Sequence, residues 1–326
     1  CVWGELGNRK QMINLFNIED YKINTNKFCH LLHDEVVNEF EQDFAEYVGA
    51  GYACSANSAS SLITLALWNK KQIVTIPSLI PTVVPNAIIR SGNQLNWRDD
   101  TIWVGNMYKL HSFEGYSIYD SAQQVERDIF KKVNPQDLMI FSFYPTKPVG
   151  SCDGGMIVSD DREKIEWFRK AVMGGATASD NSWDRDLIFP GWKMNMNSIQ
   201  AYIAQQNLQK LDNKNERIAE IRSVYNKAFH RDNKSSHLFR INVKDRNKFI
   251  DKMRAKKICC GVHYKACHLN PVYNAYKADR QSYVKKSKKD SKTTVSIPLH
   301  EKLTDEDLEY IIGKIHKARR VLKAVR

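Results

Sequence analysis

A chain of 326 residues with 42% hydrophobic and 10% aromatic content can bury one large or two medium cores, which excludes wholesale disorder. Its 49 Lys and Arg against 37 Asp and Glu leave a formal net charge of +12, a basic surface suited to an anionic small molecule. No Arg-rich tract or repeated basic–aromatic pattern marks a nucleic-acid binder, and no apolar run approaches the ~18 residues of a membrane span.

The 7 cysteines are scattered, with no CxxC pair for zinc, so no metal site is expected. Reduced buried thiols in a cytoplasmic protein are the simplest reading. No signal peptide is visible; the chain begins at Cys1, not Met, so an upstream start is expected.

Residues 1–33 read as irregular. Val36, Val37, Phe40, Phe44, Tyr47 and Val48 recur at helical steps, predicting a helix over 34–48 that Gly49 and Gly51 end. A short strand over 52–54 is followed by the small-residue run 55–61 and a helix over 62–67. Free N–H groups and the dipole at such a helix start suit an anion, although ordinary capping by serine explains the composition as well. Strands are expected at 73–76, 94–97, 101–104 and 116–119, with a helix at 86–91.

The stretch 138–158 organises the rest. It opens as an apolar strand over 138–143, turns through Pro145, presents Lys147, and returns after Gly154 and Gly155 as a second apolar run. Burying an ammonium is costly unless it is paired or neutralised. One solution is chemical, a lysine amine condensed with an aldehyde as a Schiff base; a turn lysine pointing at water is the plainer one. Upstream, Asp120 ends the strand at 116–119, where it could face the ring nitrogen of a pyridine cofactor. A lysine amine with an aspartate partner is the constellation that pyridoxal phosphate chemistry needs.

A helix over 161–173, stopped at Gly174 and Gly175, leads to a polar loop over 176–190. Lys193 and Asn195 precede a long helix entered near Asn197 and Ser198, and a second helix is expected over 217–229. The charged link 230–236 suggests a boundary, with a large domain over 1–230 and a small one over 231–326. The small domain reads as strand 238–243, helix 246–256 and strand 258–263, then a solvated lysine-rich loop at 285–289. Thr304 with Asp307 forms a capping-box pattern before a last helix striped by Leu308, Ile311, Ile312 and Ile315. Alternating strands and helices argue an α/β fold with a mostly parallel sheet.

Asp120-Ser-Ala-Gln123, then Phe141-Ser-Phe-Tyr-Pro-Thr-Lys147, then Asp153-Gly-Gly155 resemble the DegT/StrS family of pyridoxal-phosphate nucleotide-sugar aminotransferases. The resemblance covers roughly 34–96 and 116–315, and the connection from Trp97 to Asp120 is shorter than the family's. It implies an aspartate-aminotransferase-like fold of type I with a smaller C-terminal α+β domain. By resemblance, Lys147 holds pyridoxal 5'-phosphate, Asp120 faces the ring nitrogen and Gln123 the ring hydroxyl. Ser142, Ser58 and Ala59 take the phosphate, with the hydroxyl coming from Ser58 or Ser60. Pro81 stands where the family carries a ring-stacking aromatic. Lys193 and Asn195 are expected to reach a partner subunit's site in a homodimer with shared active sites. His263, Tyr264 and His268 match a family motif near the substrate. The implied reaction moves an amino group from L-glutamate to a nucleotide-linked keto sugar, with a 4-keto-6-deoxyhexose favoured over a 3-keto sugar. A non-catalytic regulatory or binding protein on the same fold is the reading from another class.

Overall fold

The computed structural model describes residues 11–24, 26, 30–177, 184–278 and 284–324, so residues 1–10, 25 and 27–29 of the expected irregular start lie outside the described residues. Asp34 caps the first helix, α1 (Glu35–Val48), by accepting from the Glu35 N–H, and Phe40, Phe44 and Val48 bury its apolar face. Then come β1 (Tyr52–Ala56), α2 (Ala59–Ala66), β2 (Ile73–Pro77), α3 (Val83–Arg90) and β3 (Gln94–Arg98). A hairpin of β4 (Tyr108–Phe113) and β5 (Tyr116–Asp120) precedes β6 (Leu138–Ser142), β7 (Gly155–Ser159) and α4 (Arg162–Val172). Two long helices, α5 (Ser198–Gln209) and α6 (Leu211–Phe229), lead to β8 (Phe239–Asn242), α7 (Arg246–Arg254), α8 (Lys285–Thr293), β9 (Thr294–Ile297) and α9 (Asp305–Ala324).

The main sheet has the order β1-β7-β6-β5-β4. Its pairings make β1, β5 and β6 run one way, with β7 and β4 against them. A parallel pair, β2 with β3, lies beside β4. Side chains alternate across the sheet. Ile140 and Ile157 belong to a core shared with α2, α3 and α4, while Met139, Phe141, Met156 and Val158 belong to one shared with α1 and α5. Strands β6 and β7 are buried on both faces, which is why they read as unbroken apolar runs. The α/β class is as expected. A third core joins Ile13, the second half of α6, β8, α7, β9 and α9.

Three expected elements differ, and so does the expectation for the cysteines. Residues 101–104 form no strand: Trp103 and Val104 are buried, but the chain turns there, with the Asn106 N–H donating to the Trp103 carbonyl. The strand is β4 instead, where buried Tyr108 and Leu110 alternate with exposed Lys109, and Gly115 at φ 81° closes the hairpin. Residues 258–263 make only single bridges, Ile13 with Ile258 and Gly261 with Ser296, because the buried strand β9 takes the place beside β8. The lysine run begins a helix, α8. The distant Asp99 carboxylate accepts the Lys286 and Ser287 N–H groups at 2.7 and 2.6 Å, a cap supplied from elsewhere in the chain. Cys54, Cys152, Cys260 and Cys267 are free thiols, but Cys259 is disulfide-bonded, so reduced thiols throughout do not hold.

Candidate active site

Strand register gathers the candidate residues along one edge of the main sheet. Asp120 pairs with Ile140 across β5 and β6, Ser142 pairs with Gly155 across β6 and β7, and Ser58 bridges Gly154 just beyond β1. Ser58 caps α2 by accepting from the Ser61 N–H at 3.2 Å, and its hydroxyl meets those of Ser60 and Ser61 at 3.1 and 2.9 Å. The first turn of α2 carries no acid, so its N-terminal partial charge is unopposed. Gly155 lets the sheet approach this helix: a Cβ there would lie 2.4 Å from the Ala59 nitrogen.

Lys147 stands in the turn after β6, its N–H donating to the Tyr144 carbonyl at 2.8 Å. Its side chain makes no hydrogen bond or ion pair among the described residues. Desolvation lowers the Lys147 amine to about 8, and the Asp120 charge opposes that fall. The residue keeps some surface exposure while its amine is drawn away from water. Asp120 is buried. One carboxylate oxygen accepts from the Ala122 N–H at 2.9 Å and the other from the Tyr108 hydroxyl at 2.8 Å. Burial raises the Asp120 carboxyl, against the pull of those two donors and of Lys147.

A second ring of side chains closes over this pair. Gln123 accepts from the Gly105 N–H at 2.9 Å and donates to the Tyr264 hydroxyl at 3.0 Å. His263 bonds Ser296 through Nδ1 at 2.8 Å. Burial and the nearby Lys147 and Arg240 charges hold its imidazole down to about 4. His237, buried and stacked on Phe16 with centroids 5.1 Å apart, is lowered by burial and by the Lys147 charge. His268 sits elsewhere, its Nδ1 2.5 Å from the Ser78 hydroxyl and within the fields of Lys288 and Asp99. Lys193 donates to Asn195 at 2.7 Å on an exposed segment, and the backbone between them accepts from the Asn57 N–H. A cavity of about 460 Å³ opens beside Lys147, with Lys210, Lys214, Arg217 and Lys302 on its walls against Glu19 and Glu301.

Comparison with known proteins decides what such a site belongs to. Residues 131–316 match the model of the DegT/DnrJ/EryC1/StrS aminotransferase family. The chain belongs to that family. It is 24% identical to the Bacillus subtilis (strain 168) spore coat polysaccharide biosynthesis protein SpsC, over 86% of this chain and 88% of that one. It is 25% identical to a Campylobacter jejuni serotype O:2 UDP-4-amino-4,6-dideoxy-N-acetyl-beta-L-altrosamine transaminase, over 90% and 94%. The fold matches the Streptoalloteichus hindustanus aminotransferase TlmJ with a TM-score of 0.80 at 19% identity, covering 96% of this chain and 100% of that one.

Aminotransferases of the DegT/DnrJ/EryC1/StrS family depend on pyridoxal phosphate. The residues present fit that group. A poorly solvated amine, a buried carboxylate and a helix N-terminus with three hydroxyls supply the donors and acceptors for an aldehyde, a ring nitrogen and a phosphate. Two members of this site escaped the sequence reading. Tyr108 was legible as part of the alternation of Tyr108 and Leu110 before Glu114-Gly115, a hairpin signal. His237 carried no local signal, because it is brought to Lys147 only by the packing of the segment before β8.

Proposed function

We propose that this family member is a pyridoxal-phosphate aminotransferase that moves an amino group from L-glutamate to a nucleotide-linked keto sugar, at position 4 of a 4-keto-6-deoxyhexose. The observation that carries the reading is the desolvated Lys147 amine facing the field of the buried Asp120 carboxylate. At an amine pKa of about 8, roughly a tenth of Lys147 is neutral at pH 7, far more than for an ordinary lysine. That neutral fraction is what a nucleophile or a base requires.

The bound cofactor supplies an aldehyde that holds an amine and a protonated ring that accepts an electron pair from a neighbouring carbon. Lys147 Nζ would hold the cofactor at rest and, as a free amine, would accept the proton from the donor's Cα. Asp120 would hold the proton at the ring nitrogen, and Gln123 would hydrogen-bond the ring hydroxyl. Ser58, Ala59 and Ser142 hold the phosphate with the first N–H groups of α2. His263 and Tyr264 face the sugar, while His268, bonded to Ser78, acts from outside this ring of side chains; with its pKa near 4, His263 is neutral at working pH and hydrogen-bonds without adding charge. Lys193 and Asn195 serve the partner subunit's phosphate in a two-fold homodimer with shared sites. Residues 1–230 form the large cofactor domain and 231–326 the small one, whose core around β8, β9 and α9 also takes in Ile13 and the second half of α6.

Position 4 is supported by the Campylobacter relative, whose name places an amine at carbon 4 of a 4,6-dideoxy sugar. The net charge of +12 supports an acceptor held through its diphosphate. The test is turnover by the cofactor-loaded protein, with L-glutamate and a set of nucleotide-linked 4-keto and 3-keto sugars. The reading predicts amination of the 4-keto series and little of the free hexose. Equal turnover of the free ketohexose would remove the nucleotide from the account, and amination of the 3-keto series alone would move the position.

A further inference from the structure

Tyr108 is the residue opposite Asp120 in the β4–β5 hairpin, so both side chains leave the same face of the sheet. Its hydroxyl donates to an Asp120 carboxylate oxygen at 2.8 Å, and the ring is buried. The ring is held on several sides. Trp103 meets it edge-on at 4.5 Å between centroids, and the Arg98 guanidinium lies 5.5 Å from its centre. Arg98 is itself fixed by the carbonyls of Thr75 and Lys109 at 3.0 and 3.1 Å. Burial and the Asp120 charge keep the phenol from ionising, so it remains a donor at any working pH.

We propose that Tyr108 is a positioning residue that makes Asp120 a weaker base than burial alone would leave it, so that the proton they face stays on the cofactor's ring nitrogen. This rests on the reading of Asp120 as the partner of that nitrogen. A hydrogen bond donated to a carboxylate stabilises its charged form and lowers its appetite for a proton. Without it, the carboxylate competes better for the shared proton, and the ring loses the positive charge that draws electrons. The hairpin is therefore part of the catalytic apparatus as well as an edge of the sheet.

The experiment compares the wild type with Tyr108→Phe and Asp120→Asn, each loaded with pyridoxal phosphate carrying 15N in its ring. In Tyr108→Phe the nitrogen resonance should move toward that of the unprotonated ring. Its kcat should fall about ten- to a hundred-fold with the donor KM nearly unchanged, the loss expected for one hydrogen bond to a charge. The acid limb of its pH profile should rise by about one pH unit. Replacing Tyr108 with 3,5-difluorotyrosine, a stronger donor of the same shape, should move the resonance the opposite way, and it serves as the test if the phenylalanine variant does not fold. An unmoved resonance and pH limb at position 108, with both altered in Asp120→Asn, would overturn this inference and leave the aminotransferase reading standing. No change in Asp120→Asn would overturn the assignment of Asp120, and this inference with it.

Discussion

Asp120→Asn separates function from folding with one change of nearly equal size. The carboxylate is buried, with one oxygen receiving the Ala122 N–H and the other the Tyr108 hydroxyl. Asparagine keeps an acceptor for Ala122 and turns its amide toward the oxygen of Tyr108, so packing is preserved while the charge, and with it the acceptor of the Tyr108 proton, is lost. In a water-poor site, removing one preorganised electrostatic partner costs about 10²–10³-fold in kcat, or about 3–4 kcal/mol of transition-state stabilisation. Folding should respond with the opposite sign. Burial raises the Asp120 carboxyl above its ordinary value, so the folded protein binds that proton more tightly than the unfolded chain. Its ionisation therefore removes stability as pH rises from the unfolded value through the folded one, and that deficit persists at neutral pH. The cofactor-free variant should thus melt at the same temperature as the wild type or higher, while the loaded enzyme is nearly dead. The assays are calorimetry of the cofactor-free protein and steady-state turnover with saturating donor. A kcat within about threefold of wild type, against the loss expected of such a partner, would refute the argument. A markedly lower melting point would show that Asp120 is held for structure.

Other consequences are as direct. Acylation of Lys147 in the cofactor-free protein should follow a titration near pH 8, and Asp120→Asn should shift it lower, because the aspartate charge opposes the effect of burial. Through the same group, stability of the cofactor-free protein should rise from pH 8 toward the ordinary lysine value of 10.5, where the unfolded chain binds the extra proton; scanning calorimetry across that window checks it. Gly155→Ala would push a methyl to 2.4 Å from the Ala59 nitrogen and should cost about 1–3 kcal/mol in denaturant titration, with weaker phosphate binding at α2. Lys147→Ala mixed with a Lys193→Ala, Asn195→Ala double variant should regain about half the activity per mixed dimer, if each site draws on two chains. Activity assays on isolated mixed dimers check this; no recovery would confine each site to one chain.

Where the chain was legible, the signal was local. The apolar runs of β6 and β7, the period of α1 and the glycines after it, and the turn that presents Lys147 all declare themselves within a few residues. The spacing of Asp120, Gln123 and Lys147 on successive strand ends needed only the order of strands. What stayed hidden depended on distant partners. The lysine run at 285–289 looks like a solvated loop until Asp99 caps it as the start of a helix. Segment 258–263 has the composition of a strand, yet β9 outcompetes it for the place beside β8. Trp103 and Val104 are apolar enough for a strand, and only the turn at Gly105 and Asn106 moves the pairing on to Tyr108. Missing that hairpin also meant missing the hydroxyl that contacts Asp120.

The central claim is that Lys147 carries the cofactor, and one measurement addresses it without any substrate. The protein is loaded with pyridoxal phosphate, reduced with borohydride, digested and mapped by mass spectrometry. The account predicts the mass of the reduced cofactor on the peptide containing Lys147, with the mark lost in Lys147→Ala. Bound cofactor that leaves its mark on a different lysine, or on none, would contradict it.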